Sequence, residues 1–307
     1  MRETTPWTVV ALPIMLAGLA LGAAALDSVL GAVAAGRPGP LRAAGDPLRA
    51  AARSLIAQRR VTLAPDRLLT RIGVISLPLA ALLAAVVVPL GTEPVAAFPI
   101  GVVWFNAMEV AVWGAVWLTG WGVNSAYPLI AGYRFIAQGL AYELPHMFAL
   151  ITAALGAGSL DLTEVAAAQR GLWFAVWMPV AFVVYLISAL AMAFWGPLGH
   201  PVSDDLAGGA AAELSGPDRL LFLAGRYTLL AVAAAAAVPL FLGGGAGPLL
   251  PAWMWFLLKT GGVLCALVWT RHRLPVLRMD RFMELSWLVL IPAALLQALV
   301  VALVVLP

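Results

Sequence analysis

The sequence has very little charge for its length. Of its 307 residues, 11% are Asp, Glu, Lys or Arg, whereas 63% are hydrophobic, and the mean hydropathy is +0.97. Soluble globular chains carry roughly a quarter charged residues, so most of this surface has to face something other than water. Intrinsic disorder is excluded as well, because it requires low hydropathy and high charge. The composition therefore predicts a polytopic membrane protein.

Cysteine is nearly absent. The single residue, Cys265, lies in an apolar run, which excludes an intramolecular disulfide and any paired-cysteine metal or iron–sulfur motif. No segment resembles a soluble cofactor-binding domain. We therefore expect no flavin, metal ion or iron–sulfur cluster, and no covalently bound cofactor, in this chain.

Long apolar runs supply the fold. A bilayer core roughly 30 Å thick requires about 20 mostly apolar residues per helix. The first run is longer than the roughly 7–15 residues of a signal-peptide core, so we expect it to be retained as a span. The sequence predicts an all-α fold, with residues 1–307 forming one integral membrane domain. The eight predicted transmembrane helices are at about 7–35, 72–90, 95–121, 127–157, 172–195, 220–243, 251–270 and 285–306.

Arginine placement predicts the orientation. On an eight-span path, thirteen arginines fall on one side, in the segments 37–71, 219 and 271–281, and two fall on the other side. Because positively charged loops stay in the cytoplasm, both termini are predicted on the non-cytoplasmic side. The basic segment 37–71 contains an amphipathic stretch at 47–60, which we expect on the membrane surface. The alternative is that these arginines only bind lipid headgroups.

Five ionisable residues interrupt the apolar runs: Glu109, Arg134, Glu143, Arg226 and Lys259. Together they would cost on the order of 10–15 kcal/mol if each faced lipid alone. They are therefore expected to pair or to line a hydrated cavity. Individually, Arg226 and Lys259 could extend to the membrane interface, and Glu109 could be a protonated carboxyl bonded to a neighbouring helix.

The fourth predicted span is the most polar. Arg134, Gln138 and Tyr142 recur every four residues and so share one helix face, with Glu143 and His146 beside them. Pro145 can kink this helix and free a backbone carbonyl. This face predicts a cavity or a proton route, although a polar row can also serve only to join two helices.

Four sequence blocks resemble one family. Residues 120–127 read GWGVNSAY and precede Arg134, Gln138, Tyr142 and Glu143. The other blocks are RPGP at 37–40, ELSG at 213–216, and WFLLK at 255–259 followed by Arg271, Arg278 and Asp280. Their types and order, over about residues 20–295, resemble the H subunit of bacterial NADH–quinone oxidoreductase, which is the membrane core subunit 1 of respiratory complex I.

The resemblance implies a function within a complex. The protein would lie in the bacterial plasma membrane, form a chamber that binds quinone as substrate, and dock the hydrophilic iron–sulfur arm. It would also couple quinone reduction to proton translocation by the membrane pump subunits. The chain would thus be a subunit of a proton-translocating enzyme, with lipid, quinone and the other subunits as its partners and no role for nucleic acid.

The resemblance and the buried charges also suggest which residues act. The quinone chamber and coupling residues would be Asp27, Arg37, Arg53, Arg134, Gln138, Tyr142, Glu143, Asp204, Asp205 and Glu213. An intramembrane charge path would use Glu109, Arg226 and Lys259, and the docking loop would use Arg271, Arg278 and Asp280.

The chain also departs from the family pattern. Two basic residues that should follow Asp27 are replaced by Ser28 and Val29, and the acidic loop is reduced to residues 197–206. Arg226 stands where the family has a glutamate, and Glu109 stands where it has small or apolar residues. These departures leave three alternatives open: a hydrogenase-type or ferredoxin-linked complex, a stand-alone ion transporter, or a structural scaffold without chemistry.

Overall fold

The computed structural model describes residues 7–305, and this part of the chain folds into α-helices without a β-strand. The helices are α1 Trp7–Ala34, α2 Asp46–Ile56, α3 Arg67–Ala85, α4 Gly101–Gly122, α5 Ala126–Ala157, α6 Leu162–Ala168, α7 Phe174–Trp177, α8 Pro179–Met192, α9 Gly216–Phe241, α10 Ala252–Arg273, α11 Met279–Leu285 and α12 Ile291–Val305. A π-helical turn, Ser286–Leu290, joins α11 to α12. The predicted all-α fold is confirmed.

Seven helical segments are long and apolar enough to cross a bilayer: α1, α3, α4, α5, α9, α10 and the continuous segment Met279–Val305. The predicted fifth span differs from the expectation, because it is divided into α7 and the 14-residue α8. Pro179 lacks a backbone N–H and disfavours a helical conformation in the residue before it. The helix consequently breaks at Met178 and restarts at Pro179.

Helix α9 occupies the centre of the bundle. Each residue from Leu229 to Phe241 is buried, and α9 packs against α1, α3, α8 and α10. Five consecutive alanines at 233–237 let these neighbours approach closely, as small residues commonly do in membrane proteins. The helix is therefore buried on all sides rather than on one face.

Proline and serine cooperate where α5 is interrupted. Pro145 removes the backbone donor that would bind the carbonyl of Ala141. In the structure Ser286, in the π-helical turn, donates its hydroxyl hydrogen bond to that carbonyl. The carbonyl freed by Pro145, as the sequence predicts, is thus satisfied by another helix, which a bilayer interior requires.

The loops at one end of the bundle are tied to one another. The amide of Asp66 donates to Gly122 O at 2.8 Å, that of Arg60 to Ser215 Oγ at 2.6 Å, and that of Leu277 to Pro197 O at 2.9 Å. This end, formed by residues 35–66, 123–125, 193–215 and 274–278, is called the arginine-rich end below. Helix α2 lies here against α9, within the predicted amphipathic stretch. Which side of the membrane this end faces stays a prediction.

Two glycines of α4 allow a test of the close packing. A Cβ atom added at Gly120 would lie 2.3 Å from Pro128 O, whereas one added at Gly114 would meet no atom within 4 Å. We expect Gly120→Ala to lower the free energy of unfolding by about 1–3 kcal/mol. Gly114→Ala should be neutral or slightly stabilising because of its better helix propensity. Thermal unfolding of the two detergent-solubilised variants checks this, and equal midpoints would contradict it.

Candidate functional site

A cavity of about 620 Å³ opens at the arginine-rich end, and we call it the polar cavity. It lies between the start of α5, the loop 196–205, α9 and the segment that follows α10. Its charged and titratable lining residues are Arg134, His200, Asp204, Asp205, Arg226, Arg271, Arg278 and Asp280. All but His200 were named from the sequence.

One ion pair crosses the mouth of the polar cavity. Arg134 Nη1 donates to Asp205 Oδ2 at 2.7 Å. A hydrogen bond from Ser203 and then the bond from Arg134 hold the pKa of the Asp205 carboxyl below its usual value. His200 is mostly hidden beside them, and its burial and the Arg134 charge lower the pKa of its imidazole. Asp205 is therefore ionised, and His200 favours the neutral form.

Arg226 is held without a carboxylate partner in contact. It is 7% exposed, and its Nη2 donates to Phe194 O at 2.6 Å. Its guanidinium lies 4.6 Å from the Trp195 ring centroid and 5.3 Å from that of Phe194. A carbonyl and two aromatic faces thus stabilise the cation, while its edge lines the polar cavity. It does not extend to the open interface.

Asp27 is the centre of a second polar group. Its Oδ2 accepts hydrogen bonds from Tyr227 OH at 2.9 Å and from Arg271 Nη1 at 2.6 Å, and its Oδ1 lies 2.9 Å from His272 Nε2. These four residues are called the Asp27 cluster. The basic partners that are missing next to Asp27 in the sequence are supplied here by the end of α10.

A second cavity, the apolar cleft, has a volume of about 500 Å³. Residues 17–28 of α1, 46–54 of α2 and 220–228 of α9 line it, and these are mostly alanine and leucine. Tyr227 lines the apolar cleft and Arg271 lines the polar cavity. Because both bond to Asp27, the Asp27 cluster lies between the two cavities.

The polar row on α5 does not form one continuous wall. Gln138 is fully buried and donates to Ala191 O at 2.6 Å and Leu198 O at 3.0 Å. Tyr142 is also fully buried, and its hydroxyl accepts from Trp113 Nε1 at 2.9 Å. Of this row only Arg134 lines the polar cavity. Gln138 and Tyr142 join α5 to its neighbours instead.

The two intramembrane glutamates meet partners across the α4–α5 contact. Glu143 Oε1 accepts from Asn106 Nδ2 at 2.8 Å. Glu109 Oε1 lies 3.0 Å from His146 Nε2. The sequence analysis missed the role of Asn106, although its position one turn before Glu109 was a usable signal.

Lys259 lies far from both cavities. Its Nζ donates to three carbonyls in the turn after α9, those of Leu242 at 2.7 Å, Gly244 at 2.9 Å and Ala246 at 2.8 Å. The ammonium also lies 4.6 Å from the Trp173 ring centroid. This turn joins α9 to α10 at the end opposite the arginine-rich one. The lysine therefore reaches the end of the bundle, one of the two accounts expected from the sequence.

The remaining predicted residues lie elsewhere at the arginine-rich end. Arg37 lines a small cavity with Arg42 and Arg49, and Arg53 is exposed on α2. Glu213 accepts from Ser125 Oγ at 3.0 Å and lines a separate basic cavity. None of the three lines the polar cavity or the apolar cleft.

These features define a polytopic α-helical membrane protein with ionisable groups inside its bundle. A sequence model of the NADH dehydrogenase family matches residues 7–302. The chain belongs to that family.

Individual relatives carry a more specific name. The chain is 40% identical over 208 residues to the NADH-quinone oxidoreductase H subunit 2 of Geobacter sulfurreducens, which covers 67% of this chain and 63% of the relative. It is 38% identical over 189 residues to the H subunit 2 of Rhodopseudomonas palustris, covering 61% and 59%, respectively. With the H subunit 2 of Syntrophobacter fumaroxidans the identity is 36% over 232 residues, covering 72% and 70%. The resemblance to the H subunit is confirmed, although the chain covers less than two thirds of the first two of these relatives.

The bonds of Lys259 generate a prediction about stability. Lys259→Met leaves three carbonyls without their cationic donor, so we expect the free energy of unfolding to fall by about 3 kcal/mol. Arg273→Met, on the same helix but at its end, is the control. Thermal unfolding in detergent measures both. A midpoint for Lys259→Met as high as that of the control would show that these bonds contribute little.

Proposed function

We propose that the chain is the quinone-binding membrane subunit of a complex of the NADH–quinone oxidoreductase type. The observation that carries this proposal is the pairing of an apolar cleft with a polar cavity on either side of the Asp27 cluster. A quinone has an isoprenoid tail that needs an apolar path and a head with two carbonyls that need a few polar donors. The cleft and the cluster supply these two requirements side by side.

The donors suit a quinone head. In the Asp27 cluster, Tyr227, Arg271 and His272 each carry an N–H or O–H group that can bind a carbonyl oxygen. Reduction of a quinone to a quinol consumes two electrons and two protons. The electrons would come from a docked partner, and side chains such as His272 and Asp27 can hold or relay protons. The quinone would be a substrate rather than a resident cofactor.

The arginine-rich end is the proposed docking surface for the hydrophilic arm. Arg278 and Asp280 bond to each other at 3.1 Å on exposed positions beside the polar cavity. An iron–sulfur protein seated over this end would bring its electrons next to the cavity. This proposal places the arginine-rich end in the cytoplasm, in agreement with the positive-inside rule.

Proton coupling would start from the polar cavity and run along α5. Arg134 lies at the cavity, whereas Glu143 lies nine residues further along the helix, beyond Gln138 and Tyr142. Since Gln138 and Tyr142 are bonded and buried, a change at the cavity would reach Glu143 through their hydrogen bonds. Charge rearrangement in a packed polar network can transmit such a change.

A second candidate function is the same type of membrane anchor in a hydrogenase-type or ferredoxin-linked complex. Arg226 favours it, since a cation lines the polar cavity where the family has a glutamate. Affinity purification of the chain from its native membrane, followed by mass spectrometry, distinguishes the two. Co-purifying NADH- and flavin-binding subunits would support the first proposal, hydrogenase subunits would support the second, and purification free of any iron–sulfur partner would oppose both.

The apolar cleft can be tested by filling it. Ala51 of α2 lines the cleft, and its neighbour Ala52 does not and is exposed. We expect Ala51→Trp to lower the rate with a long-tailed quinone about tenfold, equivalent to about 1.4 kcal/mol, and to affect a short-tailed quinone less. Ala52→Trp should retain the wild-type rate. Quinone-reductase assays of the purified complex measure this, and equal rates for the two variants would argue against the cleft as the entry path.

Glu143 can be tested with an isosteric amide. Glu143→Gln still accepts the hydrogen bond from Asn106 but carries no exchangeable carboxyl proton, so the complex should assemble while coupled turnover falls by at least about tenfold. Exposed Glu284 pairs only with Arg281 at the surface, which makes Glu284→Gln a suitable control. Proton uptake by reconstituted vesicles during quinone reduction is the measurement. Wild-type uptake by Glu143→Gln would defeat a coupling role.

A further inference from the structure

A carboxyl and an imidazole are buried together inside the α4–α5 contact. Glu109 is 1% exposed and His146 is 0% exposed, and Glu109 Oε1 lies 3.0 Å from His146 Nε2. At 1.5 Å per residue, Glu109 is about 12 Å from the start of α4 and His146 about 16 Å from the end of α5. The pair thus lies well inside the apolar part of the bundle.

Apolar and aromatic groups enclose the pair. The His146 ring lies 5.1 Å from the Tyr185 ring of α8 and 6.4 Å from the Phe105 ring of α4. The Tyr185 hydroxyl is directed away, since it donates to Ala233 O of α9 at 2.7 Å. The ionisable groups that act on the pair from α5 are Glu143 and Tyr142, and Tyr185 does so from α8.

Burial restricts the charge that this pair can hold. A carboxylate beside a neutral imidazole would leave an unpaired negative charge in a medium of low dielectric constant, which is costly. One added proton removes that charge, whether it resides on the imidazole or on the carboxyl. The distance between Oε1 and Nε2 fits a single shared hydrogen bond. The pair is therefore suited to hold one proton.

Other buried polar atoms surround the pair. Glu109 Oε2, His146 Nδ1, Glu143 Oε2 and Asn106 Oδ1 are all buried and lack a protein hydrogen-bond partner among the described residues. Asn106 and Glu109 are three residues apart on α4, and Glu143 and His146 are three residues apart on α5, so each pair shares one helix face. Buried polar atoms are rarely left unbonded, and two to four of them suffice to bind a water molecule.

We propose that Glu109 and His146 form a buried proton-binding site that exchanges its proton with Glu143 through one or more water molecules bound by these four atoms. The inference rests on the proposed function only for the destination of the proton. Neither residue belongs to the sequence blocks that resemble the H subunit, so the site is a feature of this chain.

The proton balance of the exchange is simple. In one state the proton lies between Glu109 and His146, and Glu143 is a carboxylate that accepts from Asn106. In the other state the proton is bound to Glu143 Oε2, and Glu109 is a carboxylate beside a neutral His146. One bond to hydrogen breaks and one forms, and the cluster carries a single negative charge throughout. The charge moves between two helices without any change of oxidation state.

A purely structural role predicts a different outcome. If the pair only joins α4 to α5, the double substitution Glu109→Leu with His146→Leu should restore assembly and function together, because apolar residues often replace a buried ion pair without loss of stability. If the pair carries a proton, the double variant assembles but does not transfer protons. Glu109→Gln, which keeps the shape of the side chain, provides a second test in case the double variant fails to fold.

Infrared difference spectroscopy reads the site directly. The complex containing the full chain is reconstituted in lipid and shifted between low and high pH in H₂O and D₂O, without quinone turnover. We expect a deuterium-sensitive carboxyl or imidazole band that is lost in Glu109→Gln and in His146→Leu. Thr152→Val, which removes a buried hydroxyl of α5 bonded only within its own helix, should keep the band. Spectra of Glu109→Gln identical to wild type would overturn the proposal.

A second measurement separates this proposal from the proposed function. Proton uptake per quinone reduced should fall at least about tenfold in Glu109→Gln and in the double variant, with assembly unchanged. Wild-type uptake in both variants would overturn the exchange with Glu143. If the pH-dependent band is present in wild type but the complex reduces no quinone, the proton site stands and the quinone proposal fails.

Discussion

A charged side chain inside a bilayer needs a partner, and this requirement determines how the helices are arranged. Each buried ionisable group meets it differently. Arg226 uses a carbonyl and two aromatic rings, Lys259 uses three carbonyls of a turn, and Asp27 gathers partners from α9 and α10. Every one of these solutions joins a helix to a segment distant in sequence. The buried charges therefore fix which helices are neighbours, whereas the apolar surface only makes the helices insert.

Close packing around α9 follows from the same constraint. Short bonds such as that from Tyr185 to Ala233 O need backbones that approach closely, and the alanines at 233–237 permit the approach. The loops at the arginine-rich end then form a connected layer, because their backbone groups bond to one another. Rigid helices and a tied layer of loops hold the Asp27 cluster between the apolar cleft and the polar cavity. A site built on such elements keeps its geometry better than one on free loops.

Sequence patterns predicted the helices well and their contacts only in part. Apolar runs located seven spans to within a few residues at most ends, although the break at Pro179 shortened the eighth. The repeat of Arg134, Gln138 and Tyr142 correctly placed them on one face, but a face can point into a cavity or into another helix. Trp113, Ala191 and Leu198 bind Gln138 and Tyr142, and nothing in the local spacing shows that. The partners of Asp27 are 200 or more residues away, so only the tertiary structure reveals them.

The charge of the polar cavity connects its unusual residues. Four arginines and three aspartates line it, so the substitution of Arg226 for a glutamate gives it an excess of positive charge. Such an excess stabilises anions more than it supplies protons, because an arginine stays protonated at any physiological pH. A quinone reduced there would acquire negative charge easily and would need its protons from other groups. On α4 and α5 the groups able to hold a proton are Glu109, Glu143 and His146. The loss of carboxylates at the cavity and the gain of Glu109 deeper in the bundle thus act in the same direction: both move the proton-carrying groups away from the quinone and into the membrane interior.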